Sequence, residues 1–154
     1  MEQPPPLTKE EVKLIYDKWQ VYDPNCRRYD DEYDEDDDKD EEEYELEYGS
    51  LKVTLPLNIK KLDKLWRETS SSDNYIHGVF DNILYPAKYV ASNRDLHNNS
   101  VERPPEIGFY DDKASFVNGR HRFANIRDSG VRRMIPVIVD LEYVPTLKRL
   151  GLTS

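Results

Sequence analysis

Apolar residues fall into short blocks along this chain, and the spacing within each block predicts an element. Val12, Ile15, Tyr16 and Trp19 recur at intervals of three and four, which is one face of a helix. Thr8 and Glu11 have the spacing of a capping box, so that helix opens after the extended lead-in Pro4-Pro5-Pro6 and runs to about Trp19. Its apolar face would pack on the body of the domain or on a partner. Tyr44, Leu46 and Tyr48 alternate, as do Leu51, Val53 and Leu55, so residues 44–55 read as a strand or hairpin that changes face at Gly49. Asn58 caps a second helix with Ile59, Leu62, Leu65 and Trp66 inward, and Ser70 to Asn74 form a loop.

Residues 75–103 have no clear period. Ile76 to Tyr85 would hold a short strand or a helical turn, Pro86 interrupts it, and Asp95 to Ser100 read as a polar loop. Beyond Pro104-Pro105, Ile107–Phe109 and Ser115–Val117 flank Asp111-Asp112 as a hairpin. A helix from Arg120 to about Ser129 buries Phe123, Ala124 and either Ile126 or the stem of Arg127, and stops at Gly130. Ile135–Val139 is a β-branched run suited to a central strand, although Pro136 places it at a strand start or beside an unpaired edge. A strand, a helix and a strand so close in sequence make parallel neighbours possible. The expected class is α/β (α+β), a small mixed sheet with flanking helices.

Charge divides the chain. Residues 1–51 hold 19 of the 31 acidic and 6 of the 22 basic side chains, a balance of −13, and residues 52–154 hold the other 12 and 16, a balance of +4. The acidity is concentrated in Asp30–Glu47, where 14 of 18 residues are carboxylates, the one lysine is Lys39, and Tyr33 and Tyr44 interrupt the run. Such a block repels itself and is expected to be solvated. This suggests a lead-in with a helix at 1–29, an acidic linker at 30–47 and a domain at 48–154. The tract could solubilise the protein, fold back over a basic site as a nucleic-acid mimic, or offer its charge to a partner's DNA-binding groove. One cysteine, Cys26, excludes an internal disulfide and a cysteine-based zinc cluster. With no long apolar run and no signal-like start, the expectation is a cytoplasmic protein without a membrane span.

The richest segment is Ser115 to Val139. A helix N-terminus attracts anions, and its first turn normally favours Asp or Glu. Here that turn carries Arg120, His121 and Arg122, so the sequence opposes the local rule, as functional sites tend to do. Phosphate is the ligand this implies, with Arg127, Arg132 and Arg133 as further contacts to a nucleic-acid backbone. Asp111 and Asp112 read first as a turn, and secondarily, like Asp140 and Glu142, as a magnesium ligand. His77 and His97 form no ligand spacing with His121, and no metal site is expected.

Asn118-Gly-Arg-His-Arg122, followed by an amphipathic helix, Gly130 and Ile135-Pro-Val137, resembles the turn of the ParB/sulfiredoxin superfamily. The form Ser-Phe-Val-Asn-Gly-Arg-His-Arg-Phe-Ala is most similar to the Osa-like plasmid fertility-inhibition factors. The likeness implies that Asn118, Gly119, Arg120, His121 and Arg122 hold ATP or another nucleotide, with or without Mg²⁺, or DNA. In this reading Asn118 caps the helix, Gly119 admits a phosphate, the two arginines donate to it, and His121 donates or moves a proton. It also implies a bacterial, plasmid- or phage-borne inhibitor of conjugative or T-DNA transfer, with ATPase or DNase activity implied by the family alone. Sulfiredoxin has its reactive cysteine where Arg120 stands, so sulfinic-acid reduction is not expected. A centromere-binding role is not expected either, since no helix-turn-helix module follows. The competing reading is a non-enzymatic inhibitor that uses Asp30–Glu47 against a protein of the transfer or host machinery.

Overall fold

The structure, a computed structural model, describes residues 2–25, 51–70 and 74–154. The acidic tract, Cys26, the alternation at 44–48 and the centre of the 70–74 loop lie outside the described residues. The order is α1 (Lys9–Gln20), β1 (Lys52–Asn58), α2 (Ile59–Thr69), a 3₁₀ turn at Phe80–Asn82, α3 (Pro86–His97), β2 (Glu106–Tyr110), β3 (Lys113–Asn118), α4 (Arg120–Ser129), β4 (Met134–Asp140), a 3₁₀ turn at Leu141–Tyr143 and α5 (Val144–Arg149). This is an α+β fold. Its four-stranded sheet has the order β1-β4-β2-β3, antiparallel except between β4 and β2.

Local chemistry explains most boundaries. Thr8 and Glu11 form the reciprocal capping box of α1. The Asn58 side chain accepts from the Lys61 amide at the start of α2. Asp111 and Asp112 both adopt positive φ, 51° and 61°, the backbone a two-residue hairpin turn requires. Gly130, at φ 66°, ends α4.

Pro136 lies inside β4, a strand with neighbours on both sides, rather than at a strand start. It stands opposite Pro56 of β1. Peptide N–H groups alternate in direction along a strand, so Pro56 faces the way Asn58 does and Pro136 the way Ile138 does. The Asn58 amide turns outward to the Leu152 carbonyl, 2.8 Å, and the Ile138 amide turns to Pro105 on the β2 side, 2.8 Å. Neither proline therefore removes a bond from the β1–β4 ladder. The missing donor falls where β4 meets β2, a pairing confined to Glu106 and Ile138. The parallel pair is thus β2 with β4, whereas β3 and β4, which α4 joins, are separated by β2.

Of the two alternatives for the apolar face of α1, packing on the body of the domain is the one seen: Leu7, Val12, Ile15 and Trp19 belong to the same core as β4 and α4. Its polar groups close the seam, with Tyr16 Oη donating to the Met134 carbonyl (2.7 Å) and Trp19 Nε1 to that of Val101 (3.1 Å). Pro86 starts a helix instead of interrupting one, since at the first helical position its missing N–H removes no intrahelical bond. Asp95–His97, read as loop, are the last turn of that helix.

Trp66 is fully buried, with ring centroids 4.7 Å from Tyr75 and Phe116 and 5.7 Å from Phe123. Trp66→Ala is expected to destabilise the fold by about 3–5 kcal/mol, read as a lower denaturant midpoint at unchanged m-value.

Candidate functional site

Helix α4 begins beside a cavity of about 460 Å³ lined by Asn118, Gly119, Arg120, His121 and Arg122, by Phe116 and Val117 of β3, by Lys88, Ala91, Ser92 and Asp95 of α3, and by Asn74 and Val101. The five residues singled out in the sequence thus share one cavity of a size suited to a small organic ligand. Asn118 is the last residue of β3 and not the cap. Gly119 occupies the cap position at φ 81°, and no side chain caps the helix. A Cβ on Gly119 would lie 2.9 Å from Pro105 Cα and 2.5 Å from Arg122 Nη2, so only glycine fits.

The three side chains of the first turn behave differently. Arg120 Nη1 donates to the Asn74 carbonyl (3.2 Å), and its guanidinium lies 5.7 Å from the Tyr85 ring centroid, with Lys88 Nζ over the same ring at 5.1 Å. Arg122 Nη2 reaches the Pro104 carbonyl (3.4 Å) and Asn118 Oδ1 (3.5 Å), so this arginine braces the turn. His121 is not a third cation. Burial, with Arg120 and Lys88 nearby, pushes its pKa down to about 4, which leaves it neutral at pH 7. Its Nε2 is enclosed and has no hydrogen-bond partner among the described residues.

Arg127, Arg132 and Arg133 do not extend the cavity. Arg127 has only 10% of its side chain exposed and is held by Asp63 (2.9 Å), Asp128 (2.8 Å) and the Ile76 carbonyl (2.6 Å). Tyr75 Oη and Tyr89 Oη bind the same two carboxylates, completing a structural network. Arg132 and Arg133 lie past the other end of α4, a helix of roughly 15 Å, with Arg132 over the Tyr16 ring at 5.7 Å.

The carboxylates considered for magnesium are also elsewhere. Asp111-Asp112 occupy the hairpin turn, at the end of β3 remote from Asn118, where Asp112 pairs with Arg149 at 3.0 Å. Asp140 and Glu142 do not line the cavity. Burial raises Asp140's pKa, Lys52 opposes this, and Glu106 and Glu142 add to it. Among the described residues no group of three or more His, Cys, Asp or Glu is arranged to hold a metal ion. Among the described residues, Asp95 is the carboxylate that lines the cavity.

Lys88, Ser92, Asp95 and Asn74 were not found from sequence. The helix of the first three was hidden because one of its buried positions is Asn93. Asn93 Nδ2 donates to Asn125 Oδ1 (2.9 Å) and to the Pro5 carbonyl (2.9 Å), and Asn125 Nδ2 donates to the carbonyls of Tyr89 (3.2 Å) and His121 (3.0 Å). Polar side chains hold α3 to α4 where an apolar stripe would ordinarily do so. The Pro at the first helical position was the available signal.

Comparison with protein-family models, curated proteins and solved structures yields no match. The likeness to ParB/sulfiredoxin-like domains therefore rests on the Asn118–Arg122 turn and its flanking elements alone.

Gly119→Ala is expected to destabilise the turn by about 1–2 kcal/mol from backbone handedness alone, with more from the clash, read by chemical denaturation. Arg127→Met should lower stability by about 3–5 kcal/mol through the carboxylates it abandons, with the cavity side chains intact.

Proposed function

We propose that the chain binds a phosphorylated ligand, a nucleotide or a nucleic-acid phosphate, at the start of α4. The observation that carries this is the uncapped helix opening through Gly119 into a cavity flanked by Arg120, Arg122 and Lys88. Amide donors, the positive end of the helix dipole and three cations converge there, which is the field an anion needs. Phe116, Val117, Val101 and Ala91 supply an apolar wall on which a base or other flat group could rest. These residues fit a nucleotide. A magnesium ion arriving with it would find Asp95 as protein ligand and take its other contacts from phosphate and water.

Taken with the resemblance, the biological role is inhibition of conjugative or T-DNA transfer, with the ligand as nucleotide or DNA. No catalytic step is part of this reading. The alternative, an inhibitor acting through Asp30–Glu47, draws support from the roots of that tract. Asn25 Nδ2 donates to the Lys52 carbonyl (2.9 Å) and the Lys52 amide donates to Asn25 Oδ1 (2.8 Å), so the residues on either side of 26–50 are held together.

Calorimetric titration with ATP, CTP and a short DNA duplex, with and without Mg²⁺, separates the two readings. Saturable binding to the wild type is expected to weaken roughly tenfold or more in Lys88→Gln/Arg120→Gln, since a hydrogen bond to a charged group contributes about 1.5–3 kcal/mol. Absence of binding to all three ligands, or binding untouched by the double substitution, sinks the pocket reading. Loss of inhibition on deleting residues 30–47, with ligand binding retained, moves the function to the tract.

A further inference from the structure

We propose that His97 is a pH-operated latch that holds the lead-in Pro4–Leu7 and the first turn of α1 against α3. The inference is independent of any ligand in the cavity. His97 Nδ1 lies 2.5 Å from Glu11 Oε2, and Nε2 lies 3.0 Å from the Pro5 carbonyl oxygen. An ionised carboxylate and a carbonyl only accept hydrogen bonds. A neutral imidazole has one N–H and one lone pair, so in either tautomer a lone pair would face an oxygen. The imidazolium alone satisfies both contacts.

Glu11 makes the contact consequential because it has two tasks. Its Oε1 accepts from the Thr8 amide in the capping box while Oε2 faces His97, so one carboxylate ties the start of α1 to the end of α3. Leu7, buried beside them, gives the lead-in a hydrophobic anchor. The charged surroundings are simple. Glu11 faces the ring from α1, the lead-in offers the Pro5 carbonyl, and on α3 itself Arg94 turns to Asp95, at 3.8 Å. Asn93, which shares the Pro5 carbonyl, and Asn125 of α4 beyond it do not titrate.

The direction follows. Burial disfavours the His97 charge, but the Pro5 carbonyl and Glu11 outweigh it and raise the pKa above the ordinary histidine value. Burial likewise disfavours the Glu11 charge, and the Thr8 amide and His97 outweigh it and lower that pKa. A raised pKa in the folded state means that the contribution of His97 is complete below its unfolded pKa and is lost as pH rises through the folded one. The contribution of Glu11 is present above its ordinary pKa and is lost as pH falls through its lowered one. The latch is closed between the two and loosens on the alkaline side of the histidine range, where the extended proline segment loses the ring's hold on its carbonyl and keeps only that of Asn93.

The test is amide hydrogen exchange of the full chain by NMR, corrected for intrinsic rates, across the histidine range. Protection of the Thr8 and Glu11 amides should fall several-fold as pH rises, with the amides of β4 and α4 unchanged. Glu11→Gln retains capping-box chemistry, because glutamine serves at that position, and should abolish the slope. His97→Gln, a second variant without a titrating ring, should abolish it too. Protection independent of pH in the wild type, or a slope that survives in either variant, overturns the latch. So does a ring that NMR shows neutral at the acidic end while both amides are protected.

Discussion

The candidate site depends first on Trp66. Its ring is the meeting point of α2, β3, α4 and the segment after α2, through contacts with Phe116, Phe123 and Tyr75. Its indole Nε1 donates to Asn74 Oδ1 at 2.6 Å, and the Asn74 carbonyl in turn accepts from Arg120. A single buried side chain thus sets the floor of the cavity, through Phe116, and the position of a cation on its rim. Hydrophobic burial carries the energy here and the two hydrogen bonds carry the direction. A buried indole requires a partner for its N–H, and that requirement fixes where Asn74 sits.

A second constraint sorts the arginines of α4. Arg127 and Arg120 are of one type on one helix, seven residues apart. Arg127 meets two carboxylates within 3 Å and becomes part of the core. Arg120 meets the Asn74 carbonyl and the Tyr85 ring at the edge of the cavity. Arg120 and Arg122 thus stand in the first turn of the helix, the reverse of what the helix dipole alone would favour.

Where local chemistry decides, the fold was legible in the sequence. The Thr8–Glu11 box, the Asn58 cap, the Asp111-Asp112 turn, the bounds of α4 and the Gly130 stop all follow from residues within a few positions of one another. What escaped the sequence depends on distant partners. Pro136 is tolerated inside a strand because Pro56 and Pro105 stand where they do. Helix α3 was missed because Asn93 occupies a core position that Asn125 and the distant Pro5 carbonyl satisfy. The cavity was half legible. The turn announces itself by its conflict with helix polarity, whereas Lys88 and Asp95 arrive from a helix whose existence had to be seen. Arg127 was misassigned for a similar reason, since Asp63, which pairs with it, and the Ile76 carbonyl, which it also binds, are far away in sequence.

The polarity conflict also bears on why the turn is kept in this form. Two cations at a helix N-terminus cost about 0.3–1 kcal/mol each, and glycine in place of a side-chain cap a few tenths more. Against a domain stability of about 5–15 kcal/mol that sum is considerable. Asp or Glu in place of Arg120 would recover part of it, whereas Gly119 leaves no room for the Cβ of a capping side chain. A bound anion recovers it as well, through the same amides and the same cations, and only while it is bound. On the proposed reading such a helix start would be most stable when occupied, so ligand binding and tightening of the α3–α4 seam, through the His121 carbonyl, Asn125 and Asn93, would be expected to occur together.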